Sequence, residues 1–435
     1  MRTRCIIQGR TAMVELGPHS KSFPLDAQHG ALADIAQRGW NVLGNDLAFP
    51  LAVLRRSALM HNLRWMQDFA QRKGVHLAPH GKTSMSPELF AMQLAADAWG
   101  LSFATVFQLG VGVAAGARRA IIANQVLGAA DLAGLQHLLR QHADLRVWFL
   151  VDSIAQLRLI EAWADTQAEC QPFDVLLEMG IPGQRTGCRT LDEALALAQA
   201  LASSKSVRLG GVECYEGHAA ICDPELDPVA VSALVRRVLE VARACDPRDW
   251  FAPGEIIVSA GGSAVFDLVL PLLQAQGLSQ PVCGVLRSGC YLTHDHEHYR
   301  HYLRLVEQRE GLSDSLLPAL EVWTLVQSVP EPGLALLSCG KRDISYDIAL
   351  PTVQWHANAQ VRSLQDAQAS PPSWYISALN DQHAFMRFDP AGHVPVVGDR
   401  VALGLSHPCT TFDKWRWMPL VEDDGAVSGA IHTCF

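Results

Sequence analysis

Lys82 is the residue whose type and position most directly predict chemistry. It lies in the run PHGKT (79–83), at the end of the apolar run Val75–Pro79 that predicts a buried strand. An ammonium group at the mouth of a strand must stay hydrated or lose its proton, and a deprotonated lysine attacks carbonyl groups. Lys82 is therefore a candidate for imine formation with a carbonyl compound. The alternative interpretation is a solvated surface lysine.

Two glycine-containing runs are suited to hold a phosphate. SAGGS (259–263) and RSGCY (287–291) each follow a predicted strand. Glycine lets backbone N–H groups approach an anion closely, and a neighbouring hydroxyl adds a donor. One glycine-rich turn is commonplace, but two of them after consecutive strands favour a phosphate site. The candidate residues are Gly261, Gly262, Ser263, Ser288, Gly289 and Tyr291.

His407 and Cys409 are candidate metal ligands. They are two residues apart in LSHPCTTFDKW, at the predicted end of a strand. Residues i and i+2 of a strand point to the same face, so an imidazole and a thiolate there could share one ion. Two ligands are fewer than zinc prefers, and such a pair also arises by chance.

Two more polar runs follow predicted strands. QRTG (184–187) contains Arg185, and YEGH (215–218) contains Tyr215 and His218. Each run also has an ordinary structural interpretation: Arg185 could be a solvated residue in a turn, Tyr215 a core residue and His218 a hydrogen-bonded histidine.

Six of these motifs occur in the order found in one enzyme family. PHGKT, QRTG, YEGH, AGGS, SGCY and HPC resemble the motifs of the fold-type III pyridoxal phosphate (PLP) enzymes related to D-serine dehydratase and D-threonine aldolase. The fuller runs THDHEHY and HPCTTFDKW look like the bacterial branch described as D-serine deaminase-like or amino acid deaminase.

The resemblance implies a role for each candidate residue. Lys82 would carry PLP covalently and take the α-proton of the substrate, Arg185 would lie near the 3′ oxygen of the cofactor, and Tyr215 would flank its ring. The two glycine loops would hold the phosphate, while His218 could relay protons. His407 and Cys409 would hold a zinc ion next to PLP, with substrate and water completing its coordination.

The elements that must position these residues form a predicted (β/α)8 barrel, similar to the N-terminal domain of alanine racemase. Short β-type runs alternate with helical stretches, and an open doubly wound sheet is the alternative; no GxGxxG motif supports dinucleotide binding. The eight predicted strands are Val75–Pro79, Gly100–Thr105, Ala120–Val126, Val147–Asp152, Asp174–Met179, Leu209–Tyr215, Ile256–Ala260 and Val282–Leu286.

Beyond Tyr299 the pattern changes to antiparallel β structure. The predicted β-rich runs are Ala319–Val329, Leu334–Ser338, Val353–Val361, Trp374–Met386 and Arg400–Leu405. We expect a barrel domain over residues 45–298 and a β-domain formed by residues 1–44 together with 299–435, with Thr11–Leu16 as a strand. The β-domain would carry the metal pair.

Composition excludes several classes of function. The 435 residues carry a net charge of −9 and no basic run of the kind that binds nucleic acid or anionic membranes. No signal peptide or run of about 18 apolar residues is present, and the 11 cysteines lack CxxC pairs, so we expect a cytoplasmic protein with reduced thiols. By resemblance, it should form a homodimer in which each β-domain completes the barrel mouth of the other subunit.

The predicted activity is dehydration and deamination of a β-hydroxy D-amino acid of the D-serine type to a 2-oxo acid and ammonia. A D-threonine or 3-hydroxy-D-amino acid aldolase is the main alternative, and Cys409 favours dehydration because a thiolate suits zinc. A racemase needs a second base and no metal at the β-substituent. A non-enzymatic PLP-binding protein of the single-domain kind would lack the β-domain.

Overall fold

The computed structural model describes residues 14–435, which begin with two short strands and one longer one. Strands β1 (Glu15–Leu16) and β2 (Gly30–Ala31) pair antiparallel, and a 3-10 helix covers Leu32–Arg38. Strand β3 is Leu51–Arg55. Of the predicted strand Thr11–Leu16, only the last two residues are in a strand, while residues 11–13 lie outside the part that the structure describes.

Eight parallel strands form the predicted barrel. They are β4 (His76–Leu77), β5 (Leu101–Phe103), β6 (Arg119–Gln125), β7 (Arg146–Val151), β8 (Phe173–Met179), β9 (Val207–Cys214), β10 (Ile256–Ala260) and β11 (Val282–Leu286). The sheet order is β4-β11-β10-β9-β8-β7-β6-β5. Backbone bonds from Trp99 N to Leu77 O and from Ser102 N to Pro79 O, both 2.9 Å, join β5 to β4 and close the ring.

The predicted barrel is therefore confirmed, and the open doubly wound sheet is excluded. Every strand lies within two residues of its predicted ends. Strand β8 is buried along its whole length, which explains why such strands read as unbroken apolar runs. Residues such as Ile121, Leu150 and Ile257 pack inside the barrel.

Helices alternate with these strands, and several begin at side-chain caps. The hydroxyls of Thr105, Ser153 and Thr190 each accept a backbone N–H of the following first turn. The helices of this unit and its flanks are α1 (Arg56–Arg72), α2 (Pro87–Ala95), α3 (Val106–Ala114), α4 (Ala129–Gln141), α5 (Ile154–Ala164), α6 (Leu191–Ser203), α7 (Leu226–Cys245), α8 (Leu270–Leu273) and α9 (His298–Glu310).

A second unit is built on antiparallel strands, as predicted. Its strands after β3 are β12 (Leu320–Glu331), β13 (Leu334–Leu337), β14 (Thr352–Ala357), β15 (Gln368–Ala369), β16 (Tyr375–Leu379), β17 (Ala384–Arg387), β18 (Arg400–Gly404), β19 (Trp417–Val421) and β20 (Val427–His432), with the short helix α10 (Cys409–Phe412). Strand β3 pairs antiparallel with β12 and parallel with β19. The core of this unit includes Leu51, Trp323 and Trp417.

The boundaries of the two units differ from the predicted ones. Among the described residues, the β unit comprises 14–57, the segment Ser86–Leu89 and 319–435, and the barrel unit comprises 58–85 and 90–318. The β unit takes β3 because that strand pairs with β12 and β19, whereas α9 groups with the barrel. Within residues 14–435, no helix is both long and apolar enough to cross a membrane.

Candidate active site

Lys82 lies in a one-turn 3-10 helix, Gly81–Thr83, just beyond the carboxyl end of β4. Its side chain is exposed, whereas Gly81 and Thr83 on either side are buried. A Cβ at Gly81 would lie 2.6 Å from the Phe103 ring and 2.8 Å from the Phe90 ring, so only glycine lets this turn pack so closely. The local packing therefore fixes the turn and leaves the lysine amine open at the barrel face where such folds place their chemistry.

The loop after β11 packs against the lysine turn. A Cβ at Gly289 would lie 2.9 Å from the Cβ of His80 and 3.0 Å from the Thr83 hydroxyl. The loop after β10 joins them, because the Ser288 hydroxyl donates to Gly262 O at 2.6 Å and Gly289 N donates to the Ser263 hydroxyl at 3.3 Å. The structure thus brings Lys82 and both glycine loops together.

His80 carries a buried acceptor next to Lys82 that the sequence analysis missed. Its Nδ1 is buried without a hydrogen-bond partner, while the imidazole hydrogen-bonds with the Ser102 backbone. Burial, and then the positive charges of Lys82, Arg287 and Arg185, hold the pKa of His80 well below its usual value. The imidazole is therefore neutral. The sequence feature that could have identified His80 as a site residue is its position two residues before Lys82.

Arg185, Tyr215 and His218 form a cluster beside the same imidazole. The Arg185 guanidinium lies 4.4 Å from the centroid of the Tyr215 ring, a distance typical of a cation–π contact. The His218 ring meets the Tyr215 ring edge-on at 5.3 Å, and burial together with Arg185 lowers the pKa of His218. A Cβ at Gly261 would lie 2.6 Å from the Tyr215 ring, so the loop after β10 reaches this cluster as well.

Glu216 holds the backbone donors that the sequence analysis assigned to a phosphate. The N–H groups of Gly261 and Gly262 donate to the fully buried Glu216 carboxylate, at 3.0 and 2.5 Å. The two amides are therefore not open, because the acidic residue inside YEGH reaches them first. The hydroxyls of Ser263 and Tyr291 are other donors that these loops provide. Burial raises the pKa of Tyr291, so its hydroxyl keeps its proton at neutral pH.

A buried network of charges lies beneath the strand ends. Arg287 bonds to Glu213 at 2.5 Å, and both side chains are almost fully buried. Burial raises the pKa of Glu213 to about 8, although the charge of Arg287 opposes the shift. Glu178 accepts from Gln125 at 2.6 Å and from Thr186 at 2.9 Å. No local sequence pattern predicts this network, because its members come from separate strands and the loops after them.

The metal pair lies where predicted in the chain but not on a strand. Strand β18 ends at Gly404, so His407 is in the following turn and Cys409 begins α10. The two side chains still meet, since His407 hydrogen-bonds with Cys409. The prediction that both sit on one strand was wrong, because the chain turns at Pro408; the turn brings the side chains together instead.

Asp347 orients the His407 ring. Its carboxylate accepts from His407 Nδ1 at 2.5 Å and from the Thr410 hydroxyl at 2.7 Å. Burial lowers the pKa of His407, but its bonds to Cys409 and Asp347 outweigh burial and bring it to about 9. A carboxylate on Nδ1 is the usual support of a metal-binding histidine, because it leaves Nε2 for the ion. Within residues 14–435, no three His, Cys, Asp or Glu side chains are grouped to hold one ion.

The residues present fit both groups that the resemblance implies. An exposed lysine, a ring-stacking arginine, an unpartnered imidazole nitrogen and two hydroxyls surround the place expected for PLP. An imidazole and a thiol are donors that thiophilic divalent ions prefer. The structure therefore has the functional groups that each cofactor needs.

Two family models match the chain. The "Alanine racemase, N-terminal domain" matches residues 54–305, more than half of the chain, and the "Putative serine dehydratase domain" matches residues 319–421. The chain therefore belongs to the fold-type III family of PLP-dependent enzymes.

Similar proteins narrow the class. D-threonine aldolase of Arthrobacter sp. is 28% identical over 86% of this chain and 89% of its own length, and D-threo-3-hydroxyaspartate dehydratase of Delftia sp. (strain HT23) is 27% identical over 87% and 95%. The structure of D-threonine aldolase from Filomicrobium marinum superposes with a TM-score of 0.75, at 23% identity over 91% of this chain and 96% of that one. The protein is accordingly a PLP-dependent lyase with an alanine racemase-type barrel.

Proposed function

We propose that this lyase dehydrates and deaminates a β-hydroxy D-amino acid of the D-serine type, giving a 2-oxo acid and ammonia, with help from a bound divalent metal ion. The observation that carries the proposal is the pair His407 and Cys409, with Asp347 on the far side of the imidazole. Hydroxide is a poor leaving group at neutral pH, so a dehydratase needs a means to assist its departure.

The cofactor would be held by the residues that meet at the barrel face. PLP, when bound, supplies an electron sink for the charge that develops on the substrate α-carbon. Lys82 would anchor it through Nζ, with Arg185 and Tyr215 on the side of the ring. Ser263 and Tyr291 would serve the phosphate end through their hydroxyls. Gly261, Gly262, Ser288 and Gly289 would shape the two loops around it rather than donate to it, because Glu216 holds the first two amides and the other two residues tie the loops together.

Protons would be handled by groups of this chain. Nζ of Lys82 would be the base that takes the α-proton of the substrate. The unpartnered Nδ1 of His80 is a second acceptor in the same neighbourhood, and its lowered pKa keeps it unprotonated at neutral pH. The exposed imidazole of His218, beside Tyr215, connects this cluster to solvent.

The metal pair would act on the leaving group. A bound divalent ion supplies Lewis-acid stabilisation of the negative charge that develops on the departing oxygen. His407 Nε2 and the Cys409 thiolate would hold the ion, while Asp347 keeps the imidazole in the orientation that this requires. A set of only two protein ligands leaves positions for substrate and water, as catalytic sites require.

Aldol cleavage of a β-hydroxy D-amino acid is the second candidate. Similarity to both an aldolase and a dehydratase supports this reaction class, and Cys409 favours dehydration because thiolates suit zinc better than manganese. One solved structure of a D-threo-3-hydroxyaspartate dehydratase shows a Cys-to-Ala mutant in the metal-free form. That result agrees with a role for a cysteine in metal binding in that enzyme.

Product analysis tests the choice. The purified enzyme, supplied with PLP and zinc, is incubated with D-serine, D-threonine and 3-hydroxy-D-aspartate, and the products are identified by chromatography. Pyruvate and ammonia from D-serine are expected. Glycine and acetaldehyde from D-threonine, with no pyruvate from D-serine, would replace this proposal with an aldolase.

Three further parts of the proposal concern the ion, assembly and location. The ion would be zinc, the enzyme would be a homodimer, and it would work in the cytoplasm. Elemental analysis of purified protein and light scattering check the first two: a different stoichiometric metal, or a catalytically active monomer, would contradict them. Fractionation of producing cells checks the third, and activity outside the cytoplasm would contradict it.

A further inference from the structure

A second His-x-Cys pair repeats the arrangement of the first. His432 is the last residue of β20, and Cys434 follows two residues later. Glu88 accepts from His432 Nδ1 at 2.8 Å, as Asp347 accepts from His407 Nδ1. The opposite ring nitrogen, Nε2, faces the Cys434 sulfur at 3.6 Å. The second pair thus has the same order of carboxylate, imidazole and thiol as the first.

The Glu88 carboxylate is held in place by several donors. Besides His432 Nδ1, it accepts from the His432 backbone N–H and from the Ser86 hydroxyl, both at 3.1 Å. Thr433, between the two candidate ligands, is tied by its backbone N–H to Arg416 O at 3.1 Å and by its hydroxyl to Trp415 O. The imidazole orientation and the backbone between the ligands are therefore fixed before any ion binds.

The separation of the two ligand atoms suits one metal ion. Ligands about 2.05 Å (nitrogen) and 2.3 Å (sulfur) from a tetrahedral zinc ion lie about 3.6 Å from each other. The Nε2 to Sγ distance of 3.6 Å has that value. Because β20 ends at His432 and Cys434 lies two residues beyond it, the observed contact rather than strand alternation brings the two side chains together.

We propose that His432 and Cys434 form a second metal-binding pair, which takes zinc or another thiophilic divalent ion with water in its other positions. Binding displaces to solvent the proton of the Cys434 thiol and the proton that Nε2 carries when the imidazole is protonated, so the thiolate and Nε2 become the ligands. Glu88 acts as a positioning residue that fixes the ring. Because Glu88 lies in the first turn of α2, an ion here joins the last strand of the β unit to the segment Ser86–Leu89.

Cobalt uptake tests the pair without reliance on the first site. Full-length Cys409→Ala protein, freed of metal by chelation, is titrated with Co²⁺, whose bond to a thiolate gives a strong charge-transfer absorbance. We expect this absorbance to saturate at one ion per chain. It should be absent in Cys409→Ala/Cys434→Ala and retained in the control Cys409→Ala/Cys170→Ala, which removes a half-buried cysteine outside both pairs.

A measurement on the wild-type protein removes any question of folding. Zinc should slow alkylation of Cys434 by iodoacetamide at least tenfold, as read by peptide mass spectrometry, while labelling of Cys170 stays unchanged. Glu88→Gln should raise the zinc concentration needed for half-maximal protection by about tenfold or more, because it removes the carboxylate that orients the imidazole.

Two results would overturn the proposal. One is a Cys409→Ala protein with no more thiolate–cobalt absorbance than the double variant lacking Cys434. The other is wild-type Cys434 that is alkylated equally fast with and without zinc. Both readouts are independent of catalysis, so failure here leaves the proposed dehydratase reaction untouched, and loss of lyase activity would leave this site untouched.

Discussion

Several histidines of the barrel and the two His-x-Cys histidines of the β unit lie in opposite electrostatic environments. In the barrel, burial and neighbouring cations lower the pKa values of His80 and His218, and burial lowers that of His294 to about 4. In the β unit, burial is outweighed by carboxylate and thiol partners, so the pKa values of His407 and His432 reach about 9. These barrel imidazoles are therefore neutral, whereas His407 and His432 have the carboxylate and sulfur neighbours found around metal ligands.

This difference assigns separate tasks to the two regions. The barrel face gathers cations and neutral acceptors, which suit an anionic cofactor and the transfer of protons. The β unit presents imidazole and thiol with a supporting carboxylate, which suits a divalent cation. A substitution in one region should therefore leave the function of the other intact.

The largest effect is expected from Lys82→Ala. Without Nζ the barrel region loses its covalent anchor for PLP and the proposed base for the α-proton, so the activity should fall below detection. The yellow colour of borohydride-reducible PLP should be lost too, while the exposed control Lys205→Ala retains it. Metal content should be unchanged. A mutant that still forms a reducible PLP adduct would show that another lysine carries the cofactor.

Gly262→Asp should weaken PLP binding on the order of a hundredfold. Like charges about 4 Å apart repel by about 4 kcal/mol at the effective dielectric of a protein surface, less with screening. Gly262 also has φ of 67°, and a Cβ added there would clash with the Leu286 side chain, so Gly262→Ala serves as the control for strain and crowding alone. Cofactor titration by fluorescence measures both variants. Equal affinities for the two would remove the loop after β10 from the phosphate site.

Asp347→Asn perturbs the metal region only. Removal of the carboxylate partner of a metal-binding histidine typically reduces metal affinity by about tenfold to a hundredfold. We expect that loss in zinc affinity for the first pair, measured by competition with a chelating dye in the Cys434→Ala background. PLP colour and affinity should remain as in the wild type. A mutant with unchanged zinc affinity would show that Asp347 does not support the ion.

The smallest effect concerns His294. Its folded-state pKa of about 4 lies below the unfolded value of about 6.5, so the unfolded chain binds the extra proton as pH falls. The free energy of unfolding should fall by about 1.4 kcal/mol at pH 5.5 from this residue, and the loss should continue toward pH 4. Urea unfolding at pH 7.5 and 5.5 measures it. His294→Gln should show a smaller pH dependence; the same dependence would contradict the assignment.

Local patterns predicted most of the fold but only part of the site. The barrel strands were predictable because each is an apolar run bounded by a helix, and Lys82 because its motif follows one of them. The role of Glu216 was not predictable, because this carboxylate within YEGH reaches the amides of Gly261 and Gly262 in a distant loop only after folding. The Arg287–Glu213 pair was hidden for the same reason. By contrast, His432 and Cys434 had a readable signal, the HxC spacing already noted at His407.

The barrel region and the metal region should make separate contributions to catalysis, and the metal region should act chiefly on the departure of the hydroxyl group. The most direct test compares D-serine with β-chloro-D-alanine before and after chelation of the wild-type enzyme, because chloride leaves without a Lewis acid. We predict that chelation leaves PLP bound, reduces D-serine turnover by orders of magnitude, spares most turnover of the chloro substrate, and is reversed by zinc. Equal losses for both substrates, or no loss for either, would contradict a catalytic metal at His407 and Cys409.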